Sequence, residues 1–75
     1  MNLNEVNINK VCEVKSVNIE NEILNLRILE LGIISGTKIT IKHKSLLKKT
    51  LLIAFNNSCF SINENLYKNI EVEYV

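Results

Sequence analysis

One stretch constrains this chain more than any other. Leu24 to Ile41 reads Leu-Asn-Leu-Arg-Ile-Leu-Glu-Leu-Gly-Ile-Ile-Ser-Gly-Thr-Lys-Ile-Thr-Ile. Asn21, just ahead of it, has the side chain of a helix cap, an oxygen that accepts a bond from a backbone N–H left over at the first turn. Glu22 suits the positive end of the helix dipole. Leu24, Ile28 and Leu31 recur at i, i+4 and i+7 and so form one apolar face. Gly32 falls just past the last turn, where a left-handed residue is wanted and glycine carries no steric penalty, and Ile33 is then placed to touch Ile28 across a Schellman turn. Gly36 breaks the chain again. Ile39 and Ile41 alternate with Lys38, Thr40 and Lys42, the pattern of a half-buried strand. The stretch therefore predicts a helix over about 22–31, two glycine turns and a strand. It is a connection that fixes how a small barrel closes, and nothing in it looks like chemistry.

The run from Arg27 to Ile41 resembles the signature of the FeoA family, small cytoplasmic proteins associated with bacterial ferrous iron uptake and with transition-metal binding. That pattern is an Arg-Leu, then Leu-Gly, then Pro-Gly ahead of a Val/Ile strand. Arg27, Leu31, Gly32 and Gly36 match it. Ile28 replaces the usual leucine, and Ser35 replaces the proline. The layout fits from end to end, so the resemblance implies one domain over residues 1–75, an SH3-like barrel, and the transporter FeoB with its cytoplasmic GTP-binding domain as partner.

The rest of the chain reads as short strands. Asn2 to Val6 suggests a capped turn with Leu3 and Val6 inward. Asn9 stands where the resembled family prefers glycine, and asparagine tolerates a left-handed backbone. Lys10 to Val17 reads as a strand with Cys12 and Val14 on one face; its impure alternation suggests a bulge near Lys15 or Ser16. Thr37 to Lys44 and Thr50 to Phe55 read as two more strands. Asn56-Asn57 suits a two-residue hairpin turn, since both positions accept positive φ. Ser58 to Ile62 returns, Asn63 caps a short turn that tucks Leu66 inward, and Ile70, Val72 and Tyr74 mark a closing strand. The expectation is a mainly β fold: a small SH3-like barrel of about five strands with one short helix after the first strand. Composition alone also allows another small barrel or a β-rich α+β fold.

The bounds of the whole chain favour a folded binding module over an enzyme. With 75 residues, 47% hydrophobic content and a net charge of +1, the chain is a folded domain rather than a disordered one. Its longest apolar run, Leu51 to Phe55, is far too short for a membrane helix. Met1 to Glu5 lacks the basic and apolar regions of a signal peptide. These features point to a cytoplasmic protein, and the resemblance implies a peripheral place at the inner face of the membrane through its partner. Cys12 and Cys59 form no CxxC, and with the single histidine, His43, they cannot complete a four-ligand zinc site. Both cysteines read as reduced, and as structural or incidental. His43, flanked by Lys42 and Lys44, reads as a solvated strand end with no patterned nucleophile beside it. Gly32 and Gly36 are spaced for turns and not for a phosphate loop. No catalytic residue, cofactor or metal ligand is expected.

Two groups of residues remain for function. Leu26 and Leu29 lie roughly opposite the Leu24–Ile28–Leu31 face at 100° per residue, so one small core cannot use both sets. Leu46 and Leu47 sit in a loop between strands, beside Lys48 and Lys49. Exposed apolar patches mark interaction sites, and these six residues are the candidates for partner binding; the same patch leaves self-association open. Lys38, Lys42, His43, Lys44, Lys48 and Lys49 form a run with no acid among them, the kind of charge that follows phosphates or an anionic surface. The near-neutral total charge and the few aromatics outside the expected core, Tyr67 and Tyr74, argue against a nucleic-acid barrel. That class stays open as an alternative, as does a stand-alone regulatory domain like the C-terminal barrel of iron-dependent repressors.

Overall fold

The computed structural model describes residues 1–47 and 49–75. A 3-10 turn at Leu3–Glu5 is followed by β1 (Val11–Val17), α1 (Glu22–Leu31), β2 (Lys38–Lys44), β3 (Thr50–Phe55), β4 (Ser58–Asn63), α2 (Glu64–Tyr67) and β5 (Ile70–Tyr74). The five strands form one antiparallel sheet in the order β4-β3-β2-β1-β5. Two register shifts, between Val14 and Ser16 on β1 and between Ile41 and His43 on β2, each add local twist and bend the sheet round its core. The first matches the bulge expected near Lys15 and Ser16; nothing in the Lys42-His43-Lys44 run announced the second.

The core fills the concave side. Cys12, Val14, Ile39, Ile41, Leu51, Ile53, Ile62, Ile70 and Val72 come from the strands, and Ile28 and Ile33 come from the helix and its exit. Leu3, Val6, Leu66 and Tyr67 close the ends. Among the described residues no polar or charged side chain is buried. Tyr67 is only 1% exposed, which corrects the sequence reading: it is a core residue and offers no surface for base stacking. The short helix α2 buries Leu66 and Tyr67 together, and the sequence pattern had shown only the first.

The order of the sheet leaves β4 and β5 as its two ends. The outer side of β5 is covered, because Asn2 bridges Glu71 and the Val72 N–H donates to the Met1 carbonyl at 2.8 Å. Among the described residues the outer side of β4 carries no partner strand.

Local chemistry explains how each element stops. The Asn21 side chain accepts from the N–H groups of Ile23 and Leu24 at 3.0 and 3.2 Å. At the other end Gly32 adopts φ 90°, its N–H donates to Leu29 at 3.0 Å, and the Ile33 N–H reaches back to Ile28 at 3.2 Å. That pair of bonds is the Schellman arrangement. Gly36 is also left-handed, at φ 95°. Asn9 takes φ 67°, and Asn56 and Asn57 take φ 51° and 63°. Two successive positive φ values are what a tight type I′ hairpin requires.

Candidate docking surfaces

Helix α1 presents two faces. Leu24 and Leu31 are half-buried against the core, and Ile28 is fully buried. The opposite flank is free: Leu26 is 57% exposed and Leu29 51%. Ile23, 77% exposed, joins them at the N-terminal end and shares a shallow cleft with Leu26, Arg27 and Glu30. Ile34, just past the helix, is exposed as well. The sequence reading missed both isoleucines. Ile23 lies three residues before Leu26, the helical spacing that places it on the same side, and this signal was available. Arg27 stands between the free flank and a second cleft of about 260 Å³ that it lines with Leu24, Leu31, Phe60, Ile62 and Leu66. Among the described residues no carboxylate forms an ion pair with it.

The loop between β2 and β3 is the other apolar surface. Its base is clasped twice: the Ser45 N–H donates to the Thr50 carbonyl at 2.9 Å, and the Thr50 N–H donates to Ser45 Oγ at 3.0 Å. From that clasp Leu46 projects 98% exposed and Leu47 72%. Lys42, His43 and Lys49 are exposed beside it, and Lys44 Nζ donates to the Asn4 carbonyl at 2.9 Å. Lys48 lies outside the described residues. The cleft that Leu26 lines holds neither Leu46 nor Leu47. Asn63 and Leu66 line the cleft under Leu24, Arg27 and Leu31, while Asn63 and its neighbours Glu64 and Asn65 meet Lys49 on the other side.

The remaining candidates are dispersed. Cys12 is buried, its thiol donates to the Ile39 carbonyl at 3.4 Å, and burial pushes its pKa up. Cys59 is exposed on β4, so the expectation of a small buried hydrophobe applies to Cys12 alone. Glu13 sits 2.9 Å from Lys15 Nζ, and Lys15 holds the carboxyl below its usual range. Glu73 lies 3.9 Å from the same ammonium, and Glu71 bonds the N-terminal amine. Tyr74 accepts the Asn7 N–H at 2.9 Å, which ties the last strand to the first loop. Among the described residues no three His, Cys, Asp or Glu side chains gather as a metal would need, so no step is derived through a metal.

A bent five-stranded antiparallel sheet with one capping helix, carrying its free apolar groups on a helix flank and a strand loop, defines an SH3-like β barrel with surfaces suited to contact. The chain belongs to the FeoA family, since the FeoA domain model matches residues 1–74. Solved structures agree on the fold. The iron(II) transport protein A of Clostridium thermocellum superposes with a TM-score of 0.90 at 21% identity over 100% of this chain. The chain spans only 46% of that protein's length. The FeoA-like protein of Clostridium acetobutylicum gives 0.84 at 25% identity, covering 100% of this chain and 86% of its own. Stenotrophomonas maltophilia FeoA, solved as a zinc complex, gives 0.82 at 24% identity, covering 97% of this chain and 89% of its own. It is described as a prokaryotic SH3 domain protein with a suggested role as a ferrous iron transport activating factor. No curated protein matches the chain. No helix among the described residues is long and apolar enough to cross a membrane.

Proposed function

We propose that this chain is a non-enzymatic accessory protein of ferrous iron uptake that docks on the cytoplasmic side of a FeoB-type transporter. One observation carries the reading: the outer flank of α1 holds Ile23, Leu26 and Leu29 in solvent although the helix already has a complete inward face. Three exposed aliphatic side chains on one flank of a short helix, with Glu30 at their edge, are the kind of patch that another molecule covers. Leu26 and Leu29 expose about half of their surface, so burying both contributes roughly 1.5–3 kcal/mol before the costs of association, a share of a modest, reversible contact. Lys42 and Lys49, exposed on the neighbouring loop and strand, suit an acidic or membrane-proximal side of the same assembly.

The test is calorimetry of this protein against the soluble GTP-binding domain of the transporter, with and without guanine nucleotide. A Leu26→Asp/Leu29→Asp variant runs beside it after circular dichroism has shown it folded. Saturable binding that the variant loses supports the reading. Binding of equal affinity by the variant removes α1 as the docking element, and the absence of binding to both the soluble domain and the intact transporter refutes the partner. Sedimentation of the protein alone separates partner docking from self-association, which the same apolar flank would otherwise explain.

A further inference from the structure

We infer that the Leu46–Leu47 loop is a point of insertion into an anionic lipid surface, a role separate from the contact made by α1. The loop has three properties that belong together in a bilayer wedge. Its base is closed by the two Ser45–Thr50 hydrogen bonds, and the apex beyond them stands out from the sheet. Its apex carries two adjacent leucines, and at 98% exposure Leu46 touches almost nothing of its own chain. Its feet carry cations: Lys44 and Lys49 flank the clasp, Lys42 lies further down β2, and no acid occurs in the sequence from Lys38 through Lys49.

A protein groove and a bilayer make different demands on such a loop. A groove needs a shaped apolar face and carboxylates at matched positions. A bilayer needs a protruding apolar tip with cations at the level of the headgroups. Long lysine stems reach that level while the leucines enter the acyl boundary, and each lysine near an anionic surface adds to the attraction. The nearby acids belong to neighbouring elements: Glu64 shares the cleft with Lys49, and Glu5 lies beside Asn4, whose carbonyl takes the Lys44 bond. Neither forms an ion pair with these lysines, so Lys42 and Lys49 have no carboxylate to compete with a phosphate surface, while Lys44 also holds the Asn4 carbonyl.

The probe is lipid alone, with no transporter present, so the outcome is independent of the docking reading. The protein is floated with vesicles of phosphatidylcholine and with vesicles of phosphatidylcholine and phosphatidylglycerol in equal parts. The expected result is binding to the anionic vesicles that weakens as salt rises, and a loss of at least about tenfold for Leu46→Ser/Leu47→Ser. Both leucines are exposed, so the variant is expected to stay folded; a second variant covers the case where it does not. The chain has no tryptophan, so Leu47→Trp supplies a single reporter whose emission should shift to the blue on anionic vesicles and be quenched by brominated lipid chains. Unchanged emission on bound vesicles overturns the inference, as does equal binding by the serine variant, which would mean adsorption through lysines only. Failure of the wild-type protein to float with anionic vesicles also overturns it. In that case, loss of transporter-domain binding by the same serine variant would reassign the loop to a protein contact.

Discussion

The turn at Gly32 offers a prediction whose size follows from two separable causes. Replacing Gly32 with alanine adds a methyl group to a residue at φ 90°. A Cβ built there would meet Asn56 Nδ2 at 3.9 Å and Phe55 Cε2 at 4.0 Å, ordinary contact distances that require nothing to move. Packing therefore contributes almost nothing, and the cost is conformational. A left-handed L-residue costs about 1–2 kcal/mol, and the stiffer unfolded chain of alanine offsets only part of that. The net loss is about 1 kcal/mol against a total stability of roughly 4–11 kcal/mol for a chain of this length. In a thermal melt it should appear as a fall in Tm of about 4–8 °C. Urea titration should show the midpoint falling with no change in slope. Two controls make the reasoning specific. Gly32→Asn should cost clearly less than alanine, because asparagine tolerates the left-handed region. Gly36→Ala should cost about as much as Gly32→Ala, because Gly36 is at φ 95° with nothing within 4 Å of the added carbon. An alanine variant as stable as the wild type would refute the argument. So would an asparagine variant as damaged as the alanine one, since the penalty would then not lie in the backbone.

Other expectations concern the core, the thiols and one ion pair. Ile28→Ala removes a fully buried side chain from the helix face and should cost about 2–5 kcal/mol in urea, several times the Gly32 effect. In native protein a disulfide-exchange reagent should label Cys59 promptly and Cys12 only as the protein unfolds, since Cys12 is buried and its thiol is held protonated; two equally fast thiols would contradict the buried placement. Lys15 depresses the Glu13 carboxyl below its ordinary 4.5. The pair thus supports the fold above that value, and the support is lost as pH falls through the lower folded-state pKa. An NMR titration should find the Glu13 midpoint low in the wild type and restored in Lys15→Met.

The fold was legible where a residue has one dominant reason for its place. Asn21, Gly32 and the Asn56-Asn57 pair each announce a cap, a left-handed stop or a tight turn, and β3 follows between its expected limits of Thr50 and Phe55. The helix came from the Leu24–Ile28–Leu31 spacing, and the same arithmetic left Leu26 and Leu29 outside. Three-dimensional facts were harder to read. Tyr67 is buried by the way α2 returns to the sheet, and no periodicity in a four-residue helix reports that. The shift between Ile41 and His43 depends on how β2 meets β3, and its side chains, alternating lysines and histidine, look the same with or without a bulge. Cys59 alternates correctly with Phe60 and Ile62 and so belongs outside, yet its residue type alone suggested the interior. Helical spacing singled out Leu26 and Leu29, and an apolar pair in a loop singled out Leu46 and Leu47; all four are exposed, but how the two pairs lie to one another is set by tertiary structure that no local pattern reports.

The seam between the two ends of the chain governs when the fold can form. β1 lies inside the sheet, with β2 on one side and the end strand β5 on the other, and β5 also carries the bridge from Asn2 and the bond from Met1. β1 thus takes more of its pairing from β5, far along the sequence, than from β2. Until Ile70–Tyr74 leaves the ribosome, β1 has a bare flank and the Leu3 and Val6 side chains have no strand beneath them. A nascent chain can make α1 and the β3–β4 hairpin early, since their contacts are local. The barrel itself closes in a single late step, and any event that delays β5 leaves apolar β1 open to another molecule.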